Sequence, residues 1–194
     1  MSTEINSSPL ILETERLILR PLRMSDVDDL YEYQSHPEIV RYIPWPERTR
    51  KQVVEALEKH APQSKSELRN DGDYILLAWE LKDSGKVIGQ SNAGYESSRD
   101  QLADIGWVTH QDFQRQGYAF EATKALMAHI FHNSPVHRII ANIDTRNPES
   151  ATLAEKLGMR REGEFKDSEF FKGDWCSMWL YAILKEEFTS AQSR

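Results

Sequence analysis

Apolar and polar residues recur along the chain in blocks whose spacing alternates between that of strands and that of helices. Alternation and short apolar runs predict strands at 17–20, 74–81, 86–95, 101–108, 138–143, 160–170 and 174–184. Helical spacing predicts four helices. Ser25 with Asp28, and Thr49 with Gln52, form capping boxes for the first two, which Pro44-Trp45-Pro46 separates. A third helix follows Gly117, and Asn147 caps the fourth.

The order of these elements predicts the fold class. One strand, two helices, three strands, a helix, a strand, a helix and two strands are typical of a mixed α/β (α+β) sheet of about seven strands with about four helices. No repeat or low-complexity linker divides the middle of the chain. We therefore expect one domain at residues 10–188, with flexible tails at 1–9 and 189–194.

Composition narrows the class of protein. A chain of 194 residues, 39% of them hydrophobic, can bury one substantial core. A net charge of −7 without a long basic run argues against a nucleic-acid binder. No apolar run reaches the roughly 18 residues that span a bilayer, and residues 1–9 lack the features of a secretory signal, so a soluble cytoplasmic protein is expected. Cys176 is the single cysteine, which excludes an internal disulfide.

The most informative segment is 112–122, which joins a glycine-containing turn to the first turn of a helix. A strand at 103–108 precedes it, and Ala119, Ala122, Leu126 and Ile130 recur at helical spacing after it. Backbone N–H groups at such a turn have no partner within the helix, and the positive end of the helix dipole lies behind them. The turn therefore predicts a site for a phosphate or pyrophosphate.

Two familiar nucleotide fingerprints do not match this turn. A dinucleotide fold needs G-x-G-x-x-G after its first strand, and an NTP-binding loop needs G-x-x-x-x-G-K-[ST]. The turn holds one glycine, Gly117, and the Gly85-Lys86 pair lies between two predicted strands. The phosphate ligand is therefore of another kind.

The segment resembles the pyrophosphate loop of the GNAT acetyltransferase superfamily, Q/R-x-x-G-x-G/A, which residues 114–119 match. The resemblance covers nearly the whole chain and is nearest to the ribosomal-protein-alanine N-acetyltransferase, or RimJ/RimL, type. Four further segments carry it in the family's order: 12–21, 105–108, 138–144 followed by 147–150, and 157–163 with the closing 179–188. The resemblance implies a GNAT fold whose fourth and fifth strands splay apart, with acetyl-CoA as cosubstrate.

The resemblance also implies the residues that hold the cofactor. The backbone of the loop would bind the CoA pyrophosphate, and Asn147 would bond the pantetheine arm that enters between the splayed strands. The full set implied is Trp107, Val108, Gln114, Arg115, Gln116, Gly117, Tyr118, Ala119 and Asn147. Core packing for Trp107 and Val108, and helix capping for Asn147, are the structural alternatives.

Catalytic roles follow from the chemistry of acetyl transfer. The Val108 N–H would stabilise the oxyanion, and the Ser150 hydroxyl maps to the RimJ/RimL residue that protonates the CoA thiolate. A peptide α-amino group has a reference pKa of about 8, so a water path to one carboxylate suffices as base. Asp104 is the candidate base and Glu96 the reserve. The structural alternative for Asp104 and Glu96 is an ordinary solvated carboxylate. For Ser150 it is a serine at the third position of a capped helix, where serine is common.

Acceptor choice is expected to lie in the N-terminal helices and the hairpin. Residues 36–45 supply Glu38, Tyr42 and Trp45 as candidates, and Gln90 and Asn92 share one face of a hairpin strand. A buried Trp45 and a solvated strand face are the alternatives. No metal is expected, because His110, His129, His132 and His137 lack matching carboxylates or cysteines.

We therefore expect direct acetyl transfer from acetyl-CoA to a primary amine in a ternary complex, by a monomer or homodimer. Three hypotheses remain open for the acceptor and role. The enzyme acetylates the N-terminal amine of a ribosomal or other protein, or it acetylates a polyamine, amino acid or antibiotic, or the chain is a CoA-binding regulatory module without catalysis.

Overall fold

Eight strands form one sheet in the computed structural model, which describes residues 9–192. The strand order is β1-β2-β3-β4-β5-β6-β8-β7. The strands are β1 (Leu12–Glu13), β2 (Leu17–Pro21), β3 (Tyr74–Leu81), β4 (Val87–Ser97), β5 (Leu102–Thr109), β6 (Arg138–Asp144), β7 (Arg160–Phe171) and β8 (Asp174–Leu184). All seven predicted strands are present, so the mixed, mostly antiparallel sheet is confirmed. The two-residue β1 was not predicted.

Six helices accompany the sheet within the described part of the chain. They are α1 (Val27–Gln34), α2 (Pro37–Val40), α3 (Arg50–His60), α4 (Tyr118–Asn133), α5 (Pro148–Lys156) and α6 (Lys185–Gln192). The four predicted helices correspond to α1, α3, α4 and α5. Sequence analysis missed α2, which has four residues, and α6, whose polar sequence carries no apolar stripe. Residues 189–192 thus lie in a helix, whereas residues 1–8, 193 and 194 of the expected tails lie outside the described residues.

One predicted cap is correct and one is wrong. Thr49 and Gln52 form a reciprocal capping box at the start of α3. Ser25 and Asp28 do not cap α1, because a short 3₁₀ turn precedes it and the Asp26 carboxylate accepts the Arg23 N–H at 2.7 Å. That carboxylate is buried and also pairs with Arg20 at 2.8 Å.

The sheet separates two apolar clusters. On one face, α1 and α3 contribute Leu30, Tyr33, Val53 and Leu57 to a cluster that includes Val108 of β5. On the other face, α4 and α5 pack Leu126, Ile130, Ala151 and Ala154 into the larger core. Helices therefore cover both faces of the central strands.

Strands β5 and β6 are the one parallel pair in the sheet, and they separate partway along their length. Pairing runs from Leu102 opposite Arg138 to Asp104 opposite Ile140 and then stops, although both strands continue. The predicted splay is therefore present. It falls between the fifth and sixth strands because β1 adds one to the count.

Candidate active site

The glycine turn ends in a helix N-terminus whose backbone amides are free. Gly117 is the N-cap of α4, with φ of 85°, a left-handed conformation that glycine adopts without strain. Within residues 9–192, no acceptor takes a hydrogen bond from the N–H groups of Gly117, Tyr118 or Ala119. The dipole of the sixteen-residue helix adds partial positive charge at the same place. The turn is therefore built to hold an anion.

A distant segment holds this turn in place. The Glu121 carboxylate in the first turn of α4 accepts hydrogen bonds from the Thr14 hydroxyl at 2.6 Å and the Arg16 amide at 2.8 Å. Arg16 pairs with Glu121 at 2.7 Å, donates to the Gln116 carbonyl at 3.0 Å and lies over the Tyr118 ring. Burial favours a raised pKa of the Glu121 carboxyl, but the hydrogen bonds outweigh it and lower the pKa. These contacts tie the start of the sheet to the turn.

His110 supports the turn from its N-terminal side. Its Nδ1 accepts the Asp112 N–H at 3.2 Å, so Nε2 carries the proton that is donated to Glu32 at 2.9 Å. The ring is buried and packs edge-on against Phe113. His110 thus fixes the path of the chain as it leaves β5.

Side chains of the turn divide between local bonding and solvent. Gln116 donates to the Asp112 carbonyl at 2.9 Å and Gln114 to the Thr109 carbonyl at 3.4 Å, so both stabilise the turn itself. Arg115 is exposed, has φ of 60° and forms no ion pair with a described residue. It is therefore free to reach a phosphate.

The register of β5 decides which of its amides faces the gap beside β6. His110 N–H donates to the Ile88 carbonyl of β4, and Val108 lies directly opposite Gln90. Because hydrogen-bonded pairs recur every second residue, the Val108 N–H also points toward β4. The Trp107 N–H points the other way, into the gap. The register thus places the predicted oxyanion donor, the Val108 N–H, in the ladder with β4, and the Trp107 N–H at the gap.

Most of the predicted site residues line one cleft of about 600 Å³. Donor-side and acceptor-side candidates both occur in it: Tyr42, Trp45, Gln90, Asn92, Asp104, Trp107, Val108, Asn147 and Ser150. The size falls within the range of small-molecule sites. The turn residues 114–119 lie outside its lining, and so do Glu38 and Glu96, which are both exposed.

Two glycines leave room for polar side chains on the cleft face of β4 and β5. A Cβ on Gly106 would lie 2.9 Å from the Asn92 amide oxygen, and one on Gly94 would lie 2.5 Å from Asp104 Oδ1. Each glycine therefore keeps space for the polar residue opposite it.

The surroundings of Asp104 raise the pKa of its carboxyl group. Burial raises the pKa of its carboxyl, and the nearby Glu96 carboxylate adds to the rise, while the Gly94 N–H, which donates to Oδ1 at 2.8 Å, opposes it. A raised pKa brings a carboxyl group closer to the pKa of an amine, which favours proton transfer between the two groups.

Helix α5 brings Asn147 and Ser150 to the same cleft. Asn147 Oδ1 accepts the Ser150 N–H at 3.1 Å, so Asn147 is the N-cap of α5, as the structural alternative expected. The cap does not use the Asn147 side-chain NH₂. The Ser150 hydroxyl has no partner among residues 9–192 and is half-buried. Both groups can therefore still meet a ligand.

The acceptor-side wall contains two residues that sequence analysis missed. The buried Gln90 amide oxygen accepts from the Tyr33 hydroxyl at 2.9 Å and from Gln34 at 3.0 Å. Gln34 in turn accepts from Arg48 at 2.8 Å, and Arg48 stacks on Trp45. No motif marks Gln34 or Arg48, because the contact of Gln34 with β4 and the contact of Arg48 with Gln34 depend on the packing of α1 and α3.

Two further features concern the class of protein. Residues 9–192 contain no helix with the length and apolarity that a membrane crossing requires. Over the same residues, no group of three or more His, Cys, Asp or Glu side chains is arranged to hold a metal ion. Cys176 is buried in β8 and accepts a hydrogen bond from Arg146 at 2.8 Å.

Residues 16–160 match the family model for the acetyltransferase (GNAT) domain. The chain belongs to this family, and it is an acetyl-CoA-dependent N-acetyltransferase, with the splayed strands and glycine turn described above. The expected alternative of a module without catalysis is thereby set aside.

Three similar proteins cover nearly the whole chain. The uncharacterized N-acetyltransferase YnaD of Bacillus subtilis is 32% identical over 91% of this chain and 98% of its own length. The [ribosomal protein uS5]-alanine N-acetyltransferase of Escherichia coli is 25% identical over 92% of each. The crystal structure of a GNAT-family acetyltransferase from Bacillus anthracis superposes with a TM-score of 0.81 at 28% identity, covering 91% of this chain and 99% of that one.

Proposed function

We propose that this chain transfers acetyl directly from acetyl-CoA to a primary amine, and that the acetyl end of the donor and the amine meet in the 600 Å³ cleft. The observation that supports this best is the shared lining. Trp107, Asn147 and Ser150 on the donor side open onto the same space as Trp45 and Gln90 on the acceptor side. An amine in that space reaches the thioester without a covalent enzyme intermediate.

The donor lies along the turn and the gap in this proposal. The pyrophosphate accepts hydrogen bonds from the free amides at Gly117 to Ala119, with Arg115 beside it. The pantetheine arm enters the gap between β5 and β6 and bonds to the Asn147 side-chain NH₂. The acetyl oxygen then lies against the Trp107 N–H, which stabilises its developing negative charge.

Two protein side chains, Asp104 and Ser150, take part in the proton transfers of the reaction. The amine nitrogen attacks the acetyl carbonyl carbon, and the C–S bond breaks as the tetrahedral intermediate collapses. Asp104, directly or through water, receives the proton that the nitrogen loses. The Ser150 hydroxyl gives a proton to the departing thiolate and is reprotonated from solvent.

The acceptor is a finer question with two candidates. A protein N-terminal amine, the RimJ/RimL type of acceptor, is supported by the relative that acetylates ribosomal protein uS5. A small amine is supported by the Tyr42, Pro44 and Trp45 side of the cleft, which lies over an apolar wall of Leu22, Leu30, Val53 and Leu57. The other predicted contacts, Gln90 and Asn92, serve either acceptor, whereas Glu38 could meet only a long one.

The experiment that tests the proposal measures binding and turnover separately. Millimolar acetyl-CoA is expected to raise Tm by several degrees, because a ligand that binds only the folded state stabilises it. An acceptor screen then measures released thiol with N-terminal peptides, amino acids, polyamines and aminoglycosides. No thermal shift with acetyl-CoA would contradict the donor site, and a shift without turnover on any amine would contradict the transfer.

Removing the Ser150 hydroxyl is expected to slow the release of CoA. Ser150→Ala keeps the backbone bond to Asn147 and is expected to lower kcat about tenfold, since a thiolate leaves unaided at some rate. Thr152→Ala is the matched control, because the Thr152 hydroxyl is on the same helix but bonds the Pro148 carbonyl outside the cleft. Steady-state kcat at saturating acetyl-CoA checks both, and equal values for the two variants would remove Ser150 from the mechanism.

Neutralising Asp104 is expected to reduce activity without reducing stability. Asp104→Asn keeps the oxygen that accepts the Gly94 N–H, but it cannot take a proton, so kcat/KM is expected to fall about 100-fold. The folded state raises the Asp104 pKa, so stability is lost as pH rises through that pKa when the carboxyl ionises. At pH 7 to 8 the variant therefore unfolds at the wild-type Tm or above it.

The pH profile separates Asp104 from Glu96. Because Glu96 raises the Asp104 pKa, Glu96→Gln is expected to move the acid limb of kcat/KM to lower pH and to preserve the rate at pH 8. Loss of activity in Glu96→Gln with activity retained in Asp104→Asn would make Glu96 the base.

A further inference from the structure

The charged side chains that line the cleft are unequally paired. Asp144 is held by Arg146 at 2.7 Å, and Asp104 accepts the Gly94 N–H. Burial, together with the nearby Lys59 and Arg48 charges, lowers the pKa of His60 and disfavours its charged form. Arg48 is the remaining charged group of the lining, and no carboxylate within residues 9–192 forms an ion pair with it. Within residues 9–192, Arg48 is thus the cation of the lining that has no carboxylate partner.

Neutral groups surround the Arg48 guanidinium. Its Nη1 donates to the Gln34 amide oxygen at 2.8 Å, and its carbon lies 4.5 Å from the centre of the Trp45 ring. The residue is half-buried, and this burial lowers its pKa from the usual value, although an arginine stays charged at neutral pH. A guanidinium has five N–H donors, so several remain for a ligand.

The local structure makes a cation unfavourable at this position. Arg48 immediately precedes Thr49, the N-cap of α3, and so lies at the positive end of that helix dipole. Its exposed neighbour Arg50 is compensated by Asp28 at 2.8 Å, whereas Arg48 is not. In the same wall, the buried Trp45 Nε1 has no acceptor within residues 9–192. Within residues 9–192, Trp45 Nε1 therefore lacks an acceptor, and the neighbouring Arg48 has a neutral acceptor, Gln34, but no carboxylate partner.

Arg48 lies close to the part of the cleft that Gln90 lines. Gln34 bridges Arg48 to Gln90, and Gln90 lies opposite Val108, next to the gap. Two hydrogen bonds and one amide group separate the Gln90 oxygen from the guanidinium, a distance of at most about 8 Å. A small molecule or the first residues of a peptide can span that length.

We propose that Arg48 binds an anionic group, a carboxylate or a phosphate, carried by the acceptor amine. The acceptor is then an amine with a nearby negative charge, and a polyamine is a poor substrate. This inference rests on the proposed amine acetylation, and it narrows the class of substrate.

Matched pairs of acceptors test the charge when kcat/KM is expressed per unprotonated amine. Leucine is compared with leucinamide, O-phosphoethanolamine with ethanolamine, and alanyl-aspartate with alanyl-asparagine, with spermidine as the cationic acceptor. We expect kcat/KM to be about tenfold or more higher for the anionic member of at least one pair, since hydrogen bonds to charged groups are the strong ones. The pair with the largest ratio identifies a free carboxylate, a phosphate or an acidic peptide residue as the source.

Variants at the same helix end show whether Arg48 is responsible. Arg48→Met keeps an unbranched apolar side chain over Trp45 but removes the charge. We expect the ratio between anionic and neutral acceptors to fall to about one, through a higher KM for the anionic member. Arg48→Lys is expected to restore part of the ratio. Arg50→Gln removes an exposed charge near the same helix end and is expected to leave the ratio unchanged.

Binding provides a readout that does not require turnover. Calorimetric titration of each acceptor pair into the enzyme saturated with CoA is expected to show tighter binding of the anionic member in the wild type and equal binding in Arg48→Met. Equal kcat/KM and equal affinity within every pair would overturn the inference while leaving the acetyltransferase activity intact. Preferential binding of the anionic member without any acetylation would support the anion site and contradict the proposed function.

Discussion

Gly117→Val is expected to weaken acetyl-CoA binding by at least about 100-fold. Gly117 has φ of 85°, and a β-branched residue there is strained, so the turn is expected to rearrange. Even a Cβ would lie 3.3 Å from Nη2 of Arg16, the side chain whose Nη1 donates to the Gln116 carbonyl of the turn. Hydrogen bonds from two backbone N–H groups to a pyrophosphate contribute about 1.5–3 kcal/mol each to binding. The loss of both accounts for the expected decrease in acetyl-CoA affinity.

A second glycine gives the control for backbone strain. Gly85 has φ of 73° in the turn between β3 and β4, where an added Cβ would meet nothing within 4 Å. Gly85→Val is therefore expected to lose a similar stability, on the order of 1–3 kcal/mol, and to bind acetyl-CoA like the wild type. Calorimetry for Kd and urea unfolding for stability check the pair. If both variants bind acetyl-CoA normally, the turn is not the pyrophosphate site.

The turn could be predicted from sequence because its information is local. A strand, a single glycine and a helix occur within twenty residues, so hydrophobic spacing alone places free amides next to Gly117. Its support could not be predicted in this way. Arg16 and Glu121 meet across 105 positions of sequence, and neither residue type is distinctive among 24 basic and 31 acidic side chains.

The oxyanion donor shows a different limit. Sequence analysis placed the strand correctly, but the identity of the free amide depends on which residues of β5 bond to β4. A shift of one residue reverses the direction of every N–H. The choice between Trp107 and Val108 therefore required the register with Gln90 and Ile88, which only the folded sheet provides.

Arg48 shows a third limit. The sequence marks Thr49 as a helix cap, and an arginine before a cap is unremarkable by itself. Arg48 stands out because, once α1, α3 and β4 pack together, its neighbours are Gln34 and Trp45, and no carboxylate of the described residues pairs with it. The same packing buries Gln90, which sequence analysis proposed as an acceptor contact, and its amide oxygen accepts hydrogen bonds from Tyr33 and Gln34. Through Gln34, Gln90 is connected to Arg48.

Trp107→Pro is expected to reduce kcat by about 100-fold or more relative to Trp107→Ala. Both variants lose the half-buried indole, but only proline also removes the backbone N–H. Proline is tolerated where a strand's N–H faces no partner, as it does here beyond Asp104, where β5 and β6 have separated. The difference between the two variants therefore reports the amide and not the side chain.

The same pair distinguishes the two possible donors. If the Val108 N–H stabilised the oxyanion, the Trp107→Pro and Trp107→Ala variants would have equal kcat values. Val108→Pro removes a ladder bond to Gln90 and is expected to lower Tm, which Trp107→Pro is expected to do much less. Steady-state kcat is measured at saturating acetyl-CoA on a confirmed acceptor, with Kd for CoA determined separately. A lower kcat at unchanged CoA affinity assigns the Trp107 amide to the transition state, because an interaction made only there changes rate and leaves ground-state binding alone.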